Sequence, residues 1–253
     1  MAEGWLLALG SGLVAGLANV AGGMLALSHR SWDRVRQSFF VGAGAGFMLA
    51  AVLLRMVPES YRIAATHQAP AITVGTLLLL GYLFVHAAEH VLVGHFHFGE
   101  ETHHEHWVEP VVGTTALLGL LLHSFFDGVS IGSGFIVKPE LGILIGIAIF
   151  LHKIPEGYTV VSIMTAAGRS PRAAGWSAAW LGISTVVGVV IISHWTAMVP
   201  YALPFSAGAA LYVAASDLIP AVNETKGIKM ASWVFGGVIL FYVTETLLDS
   251  LGL

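Results

Sequence analysis

An all-α integral membrane protein is the fold class that this sequence predicts, and three observations point to it. The 253 residues are 56% hydrophobic and only 10% charged, whereas a soluble domain carries roughly a quarter charged residues. The apolar residues form runs of about 20, the length that an α-helix needs to cross a bilayer. Polar breaks separate eight such runs. We therefore expect eight transmembrane helices within a single transmembrane domain over residues 1–253.

Polar breaks separate the eight spans, whose boundaries are predicted to within a few residues. Gly and other small residues are frequent within the runs, which lets neighbouring helices approach closely. The segment from Met1 to Gly4 carries one acid and no base, so we expect a retained first span rather than a secretory signal. The expected spans are 4–27, 38–57, 71–93, 111–137, 141–167, 173–194, 202–221 and 231–250.

Basic residues set the expected orientation, because cytoplasmic loops of membrane proteins carry an excess of Lys and Arg. If the amino terminus lies outside, the outer loops hold only Arg62 and Lys138. The inner loops then hold seven bases: Arg30, Arg34, Arg36, Arg169, Arg172, Lys226 and Lys229. This distribution predicts that both termini face outward.

The absence of cysteine excludes both a disulfide framework and a thiolate metal site. Any metal must then be held by His, carboxylate, Met or amide groups, a donor set that favours hard-to-borderline divalent ions over copper(I). The formal net charge is only −4 and no basic run is present. We therefore expect no nucleic-acid partner.

Two copies of the pattern Leu-His-x-x-x-acid-Gly lie in the fourth and fifth spans. His123 and Asp127 belong to the first copy, and His152 and Glu156 belong to the second, 29 residues further on. Residues four apart share one face of an α-helix, so each copy directs an imidazole and a carboxylate the same way. The short connection at 137–140 makes the two spans antiparallel neighbours. We expect the two motifs to face one another at mid-membrane.

These four side chains are candidate ligands of a divalent cation. An ionised carboxylate in hydrocarbon costs at least ~2.5 kcal/mol, so an intramembrane acid is functional by default and has a partner. Asp127 and Glu156 together balance one divalent cation, while His123 and His152 supply neutral nitrogen. Pro155 frees a backbone carbonyl beside the site, and irregular helices are common where transporters bind ions.

Further candidate metal ligands lie toward the inner side. The third span ends in His86, Glu89 and His90, and Asp217 lies near the inner end of the seventh span. The predicted cytoplasmic loop at 94–109 has the composition of a loose metal-binding tract, suited to a buffer or a sensor. A merely solvated loop is the alternative. The five histidines of the loop at 94–109 are His95, His97, His103, His104 and His106.

At the paired motifs the sequence resembles the ZIP family of divalent-metal transporters, and the likeness covers essentially the whole chain. The resemblance implies a 3+2+3 bundle of helices and uptake of zinc, and often iron, manganese or cadmium, into the cytoplasm. It also implies a multi-pass protein of the inner cell membrane, for which a homodimer is one assembly to consider.

The resemblance also assigns roles to individual residues. It matches His123, Asp127 and Glu156 to the family's principal ligands, and Met48 to a second-span position that can complete the shell. His152 would contact the metal or support a residue that does, and Asp217 resembles an inner-side position that helps the metal to leave.

The sequence departs from the two-metal members of the family at three positions. Those members have an amide and an acid where this chain has Ser124 and Lys153, and another acid where the nearest match is Ser184. We interpret the site as a single-metal site. The Lys153 ammonium would occupy the place of the second cation and neutralise the carboxylate edge that faces away from the metal.

Two other classes of function compete with transport. An intramembrane metal-dependent hydrolase would use the same His and acid residues, and His86-x-x-Glu89-His90 has inverted-zincin spacing. A hydrolase needs an open coordination position and a free general base, whereas all the midplane acids are already candidate ligands. A metal sensor would place the function in the His-rich loop and leave the midplane motifs idle. We expect a transporter and not an enzyme.

Overall fold

The computed structural model describes residues 2–28, 34–92, 110–223 and 228–252. The described residues are helical, with no strand among them. Eight helices in these segments are long and apolar enough to cross a membrane. The prediction of an all-α, multi-pass membrane protein is therefore confirmed.

Six spans are single helices, and two spans are interrupted. The second span joins α2 (Arg34–Ala51), a π-helical turn at Val52–Met56 and α3 (Val57–Thr66). The seventh joins a 3₁₀ turn, α8 (Val199–Tyr212), a π-helical turn at Val213–Leu218 and α9 (Ile219–Asn223). The helices are α1 Ala2–Leu27, α2 Arg34–Ala51, α3 Val57–Thr66, α4 Ala71–Leu92, α5 Pro110–Val137, α6 Pro139–Ala166, α7 Pro171–His194, α8 Val199–Tyr212, α9 Ile219–Asn223 and α10 Ile228–Ser250.

The helical segment of the second span runs on to Thr66, beyond the expected end of the span at residue 57. Proline lacks the N–H that an α-helix needs and normally ends or kinks it. Here the π-helical turn at Val52–Met56 directly precedes Val57-Pro58, and the second π-helical turn directly precedes Ile219-Pro220. A wider turn lets the backbone groups that proline leaves unpaired find other partners. The helix therefore passes through the proline.

Local sequence explains where the helices around the paired motifs begin and end. Pro139 and Pro171 lie in the first turns of α6 and α7, where no intrahelical N–H is required. The Ser170 hydroxyl caps α7 by accepting from the Ala173 N–H at 3.3 Å. α6 ends before Gly168, whose φ of +75° is readily adopted only by glycine.

The described helices pack in two groups of four spans. One group contains α1, α5, α6 and α7, and the other contains the second, third, seventh and eighth spans. The groups meet mainly where α2 lies against α6 and where α5 lies against α8. This packing does not follow chain order, so the 3+2+3 arrangement stays an expectation. The paired motifs lie on α5 and α6, at the boundary between the groups.

The glycine that ends each motif lets another helix touch the motif backbone. A Cβ atom on Gly128 would lie 1.9 Å from the carbonyl oxygen of Thr185 on α7. A Cβ atom on Gly157 would lie 2.0 Å from the carbonyl oxygen of Asn19 on α1. Only glycine permits such close approaches. α7 and α1 therefore support the backbone one residue beyond each acid.

Candidate metal centre

Two imidazoles and two carboxylates meet between α5 and α6. One ligand atom from each of His123, Asp127, His152 and Glu156 lies within 4.8 Å of the other three. Asp127, His152 and Glu156 are buried, and the His123 side chain is only 11% exposed. The structure thus brings together the four side chains of the paired motifs. Their role as metal ligands stays a prediction.

Asp127 Oδ2 and the two imidazoles form the tightest part of the cluster. The Nε2 atoms of His123 and His152 lie 3.1 and 3.3 Å from Asp127 Oδ2 and 3.4 Å from each other. Glu156 Oε2 lies further out, 3.8 Å from His123 Nε2 and 3.9 Å from His152 Nε2. Ligand atoms about 2.0–2.1 Å from a tetrahedral zinc lie about 3.4 Å from one another, so only Glu156 Oε2 would need to move inward to complete a set of two nitrogens and two oxygens.

The backbone of α6 orients the His152 ring. His152 Nδ1 donates to the carbonyl oxygen of Ala148, four residues earlier, at 3.1 Å. In a neutral imidazole this bond places the proton on Nδ1 and leaves the Nε2 lone pair directed at the cluster. Such a hydrogen bond to the second ring nitrogen is typical of metal-binding histidines.

Lys153 places an ammonium directly on the carboxylates. Its side chain is fully buried, and Nζ lies 2.7 Å from Asp127 Oδ2 and 2.5 Å from Glu156 Oε2. Nζ also donates to the Ser124 hydroxyl at 2.9 Å, and that hydroxyl donates to Glu156 Oε1 at 2.6 Å. All three N–H groups of the ammonium are therefore used. The two carboxylates and the ammonium leave one negative charge.

The position of the ammonium differs from the sequence-based expectation in one respect. We expected it on the carboxylate edge that faces away from the metal. The oxygens that it contacts, Asp127 Oδ2 and Glu156 Oε2, are the ones closest to the imidazoles. The cause is the position of Lys153 on α6, three residues before Glu156, which holds Nζ on the inner side of the carboxylates. A metal that binds these oxygens would therefore compete with the ammonium.

Met48 lies on the wall of a small cavity beside the paired motifs. Met48 is buried, and this cavity has a volume of only about 10 Å³. The cavity also touches Ser130, three residues after Asp127, and Ala148, whose carbonyl binds His152. It therefore lies between the cluster and the α5–α6 turn. The lining residues are Met48, Ala51, Val52, Met56, Ser130, Ile145, Ala148, Ile149 and Ala210.

The peripheral candidates are dispersed. His86 and His90 are exposed on α4, where their rings lie 4.1 Å apart and His90 Nδ1 donates to the His86 carbonyl at 2.9 Å. Asp217 lies in the second π-helical turn, next to Ser216, whose hydroxyl is 2.9 Å from that of Tyr82. The Glu89 side chain and His95, His97, His103, His104 and His106 lie outside the described residues.

The packing of Ser184, Arg55 and Asn19 could not be predicted from the sequence. The Ser184 hydroxyl on α7 donates to the carbonyl oxygen of Leu121, two residues before His123, at 2.8 Å. Arg55 forms an ion pair with Glu245 of α10. Asn19 on α1 is fully buried. In the sequence, Asn19 differs from its surroundings only as a single amide within the apolar first span, and such residues are common in packed helices.

A second ion-pair group lies beyond the cavity. Lys138, in the turn between α5 and α6, lies 3.7 Å from Glu59 of α3, which also pairs with Arg62. Glu59 is buried. These contacts connect the α5–α6 turn to the second span, on the side where the positive-inside pattern predicts the cell exterior.

Comparison with known proteins agrees with this geometry. The model of the family described as ZIP zinc transporter matches residues 108–245, which contain both paired motifs. The chain is 30% identical over 231 residues to zinc transporter GufA of Myxococcus xanthus, covering 84% of this chain and 88% of GufA.

Animal relatives are similar over shorter stretches. Zinc transporter ZIP9 of Micropogonias undulatus is 27% identical over 184 residues, 68% of this chain and 59% of ZIP9. Zinc transporter ZIP11 of Xenopus tropicalis is 30% identical over 139 residues, 38% of this chain and 41% of ZIP11. These are transporters and not enzymes. Together with the buried His and carboxylate cluster, the matches establish that this chain is a multi-pass divalent-metal transporter of the ZIP family.

Proposed function

We propose that this protein moves zinc into the cytoplasm through the cluster of His123, Asp127, His152 and Glu156. The observation that carries the proposal is the convergence of two imidazole nitrogens and two carboxylate oxygens within 4.8 Å. Two carboxylates balance the charge of one divalent ion, and this N and O donor set suits zinc. Met48 would complete the shell from the second span.

Iron, manganese and cadmium are alternative substrates for the same site. Imidazole and carboxylate ligands also suit the other divalent ions of this series, and raw affinity alone does not select among them. We propose zinc as the principal substrate because the relatives named above are zinc transporters. Competition of each ion against zinc uptake is the direct measure of selectivity.

The packing of the spans supports an alternating-access mechanism. The ligands lie on α5 and α6 within the group formed by α1, α5, α6 and α7, and the other four spans form the second group. In our proposal, movement of one group against the other opens the cluster first to the exterior and then to the cytoplasm. Asp217, His86, His90 and the His-rich loop would receive the metal on the inner side.

The test is zinc flux into liposomes that contain the purified protein and a zinc-sensitive dye. Asp127→Ala and Glu156→Ala should each abolish flux, because each removes a charged ligand. Asp249→Ala is the matched control, since Asp249 is an exposed carboxylate in the last turn of α10. Near-normal flux in either cluster variant would show that the metal binds elsewhere, and no flux in the unmodified protein would overturn the proposal.

We further propose that the protein resides in the inner cell membrane, and a homodimer is the assembly to be tested. Fractionation of expressing cells on a density gradient tests the location of the protein. Mass measurement of the detergent-solubilised protein, corrected for detergent, gives the number of chains in the assembly. A mass of one chain would remove the homodimer.

A further inference from the structure

Asn19 is a buried polar residue that neither the fold nor the metal cluster uses. Its side chain is fully buried in α1, and both Oδ1 and Nδ2 lack a hydrogen-bond partner among the described residues. A buried amide without partners is costly, and native proteins rarely keep one. The amide is therefore expected to have a partner in another state of the protein.

Asn19 lies at the depth of the metal cluster. Its backbone packs directly on Gly157, the residue after Glu156. On α6, Gly157 lies one helical turn after Lys153 and on the same face. Asn19 also belongs to the buried stripe of α1 that faces α6 and α7, formed by Ala8, Gly12, Ala15, Asn19 and Gly22. The Asn19 backbone thus packs on the face of α6 that also carries Lys153.

A bound metal would compete with the Lys153 ammonium. Nζ contacts Asp127 Oδ2 and Glu156 Oε2, the same oxygens that lie beside the imidazoles. A zinc–oxygen bond is about 2.0–2.2 Å long, so a metal on these oxygens would be close to the ammonium and repel it. The ammonium would also lose two of its three acceptors and keep only the Ser124 hydroxyl.

We propose that Lys153 is a tethered counter-cation that exchanges with the metal, and that Asn19 Oδ1 accepts its ammonium when the metal is bound. This inference rests on the proposed function. In the empty transporter the ammonium neutralises part of the charge of Asp127 and Glu156. When the metal loads, the flexible four-carbon stem lets the ammonium move to Asn19. It returns when the metal leaves, so the carboxylates are never without a cation.

A double-mutant cycle tests the exchange. The zinc dissociation constant is measured by calorimetry on protein that lacks residues 95–106, so that only the membrane site is counted. Asn19→Leu should weaken zinc binding about tenfold when Lys153 is present, a coupling within the range found for interacting neighbours. In the Lys153→Met background the same substitution should have no more than about a twofold effect. Equal weakening in both backgrounds would mean that Asn19 acts only through packing and would overturn the proposal.

Asn19→Asp is a second variant that does not depend on tolerance of a larger apolar side chain. An added carboxylate would hold the displaced ammonium more strongly. Asn19→Asp should therefore tighten zinc binding when Lys153 is present and should not do so in the Lys153→Met background. Unchanged or weaker binding in the Lys153 background would contradict the exchange. Ser133→Ala is the control for burial, since Ser133 is also fully buried with an unpartnered hydroxyl but lies on α5 beyond Asp127.

Asp127→Ala separates this inference from the proposed function. If zinc binding survives in Asp127→Ala, the metal does not use this cluster and both proposals fall. If zinc binding is lost in Asp127→Ala while the cycle shows no coupling between Asn19 and Lys153, the metal site stands and only the exchange is wrong.

Discussion

Lys153 is the residue that most distinguishes this site from a plain set of metal ligands. It is fully buried and binds Ser124, Asp127 and Glu156 at once. Removing one partner of a buried ion pair is strongly destabilising, typically by about 3–5 kcal/mol, because the remaining charge is left uncompensated. The ammonium and the two acids should therefore be treated as one electrostatic unit.

The first prediction at this scale concerns the number of metals. Lys153→Asp, alone or with Ser124→Asn, replaces the tethered cation by ligands and should raise the zinc bound in the membrane core from one ion to two. Calorimetry and anomalous scattering on protein without residues 95–106 measure the count. One zinc in the double variant, together with normal transport by Lys153→Met, would show that Lys153 does not stand in for a second metal.

At the scale of elements, α6 combines a tight contact with a backbone irregularity. The helix continues through Pro155, whose missing N–H leaves the carbonyl of Leu151 without its intrahelical partner. Two residues further along the same helix, Gly157 allows the backbone of α1 to approach closely because it has no side chain. The position of Glu156 is therefore set by its own helix and by α1 together.

Gly157→Ala tests this dependence on the contact between α1 and α6. The added methyl group would lie 2.0 Å from the carbonyl oxygen of Asn19, and overpacking of this kind typically costs about 1–3 kcal/mol. We expect a lower melting temperature and weaker zinc binding. Gly236→Ala is the control, because a methyl group there would meet nothing within 4 Å. Equal behaviour of the two variants would show that α1 can move away without affecting the site.

At the scale of the whole molecule, the two groups of spans share a boundary that contains the cluster and the adjacent cavity. The contact between Lys138 and Glu59 connects the groups at the α5–α6 turn. If the groups move against one another, this ion pair must stretch or break in at least one state. Whether zinc enters at the end that carries the α5–α6 turn depends on the orientation of the molecule in the membrane.

The expected orientation can be tested because the 253 residues contain no cysteine. His67→Cys and Ser250→Cys should react with a membrane-impermeant maleimide in intact cells, since both positions are exposed and predicted to lie outside. Arg172→Cys should react only after permeabilisation. The unmodified protein controls for background labelling. Labelling of Arg172→Cys in intact cells would reverse the topology and the direction assigned to the two ends of the site.

The His-rich loop supplies a further prediction at this scale. Deletion of residues 95–106 should leave zinc flux largely intact, because the proposed transport site lies in the membrane. The same deletion should remove weak zinc-binding sites that calorimetry detects in the solubilised protein. Complete loss of flux at normal expression would move the essential site from the membrane core to the loop.

The sequence alone determined the class of the protein and predicted the four side chains that form the His and carboxylate cluster. Long apolar runs require helices in a bilayer, because no water is present there to satisfy the backbone. The repeated spacing of His123 and Asp127, and of His152 and Glu156, places each pair on one helix face. These inferences depend only on neighbours in the chain, and for that reason they could be made without the structure.

The tertiary structure decided what depends on contacts between distant segments. The second span continues through Pro58, and Arg55 pairs with Glu245. The spans pack in two groups whose members are not consecutive in the chain. The Lys153 ammonium lies on the oxygens nearest the imidazoles, and the Asn19 amide is buried at the same depth. Local periodicity carries no information on such contacts, because they arise from the packing of helices that meet only in the folded molecule.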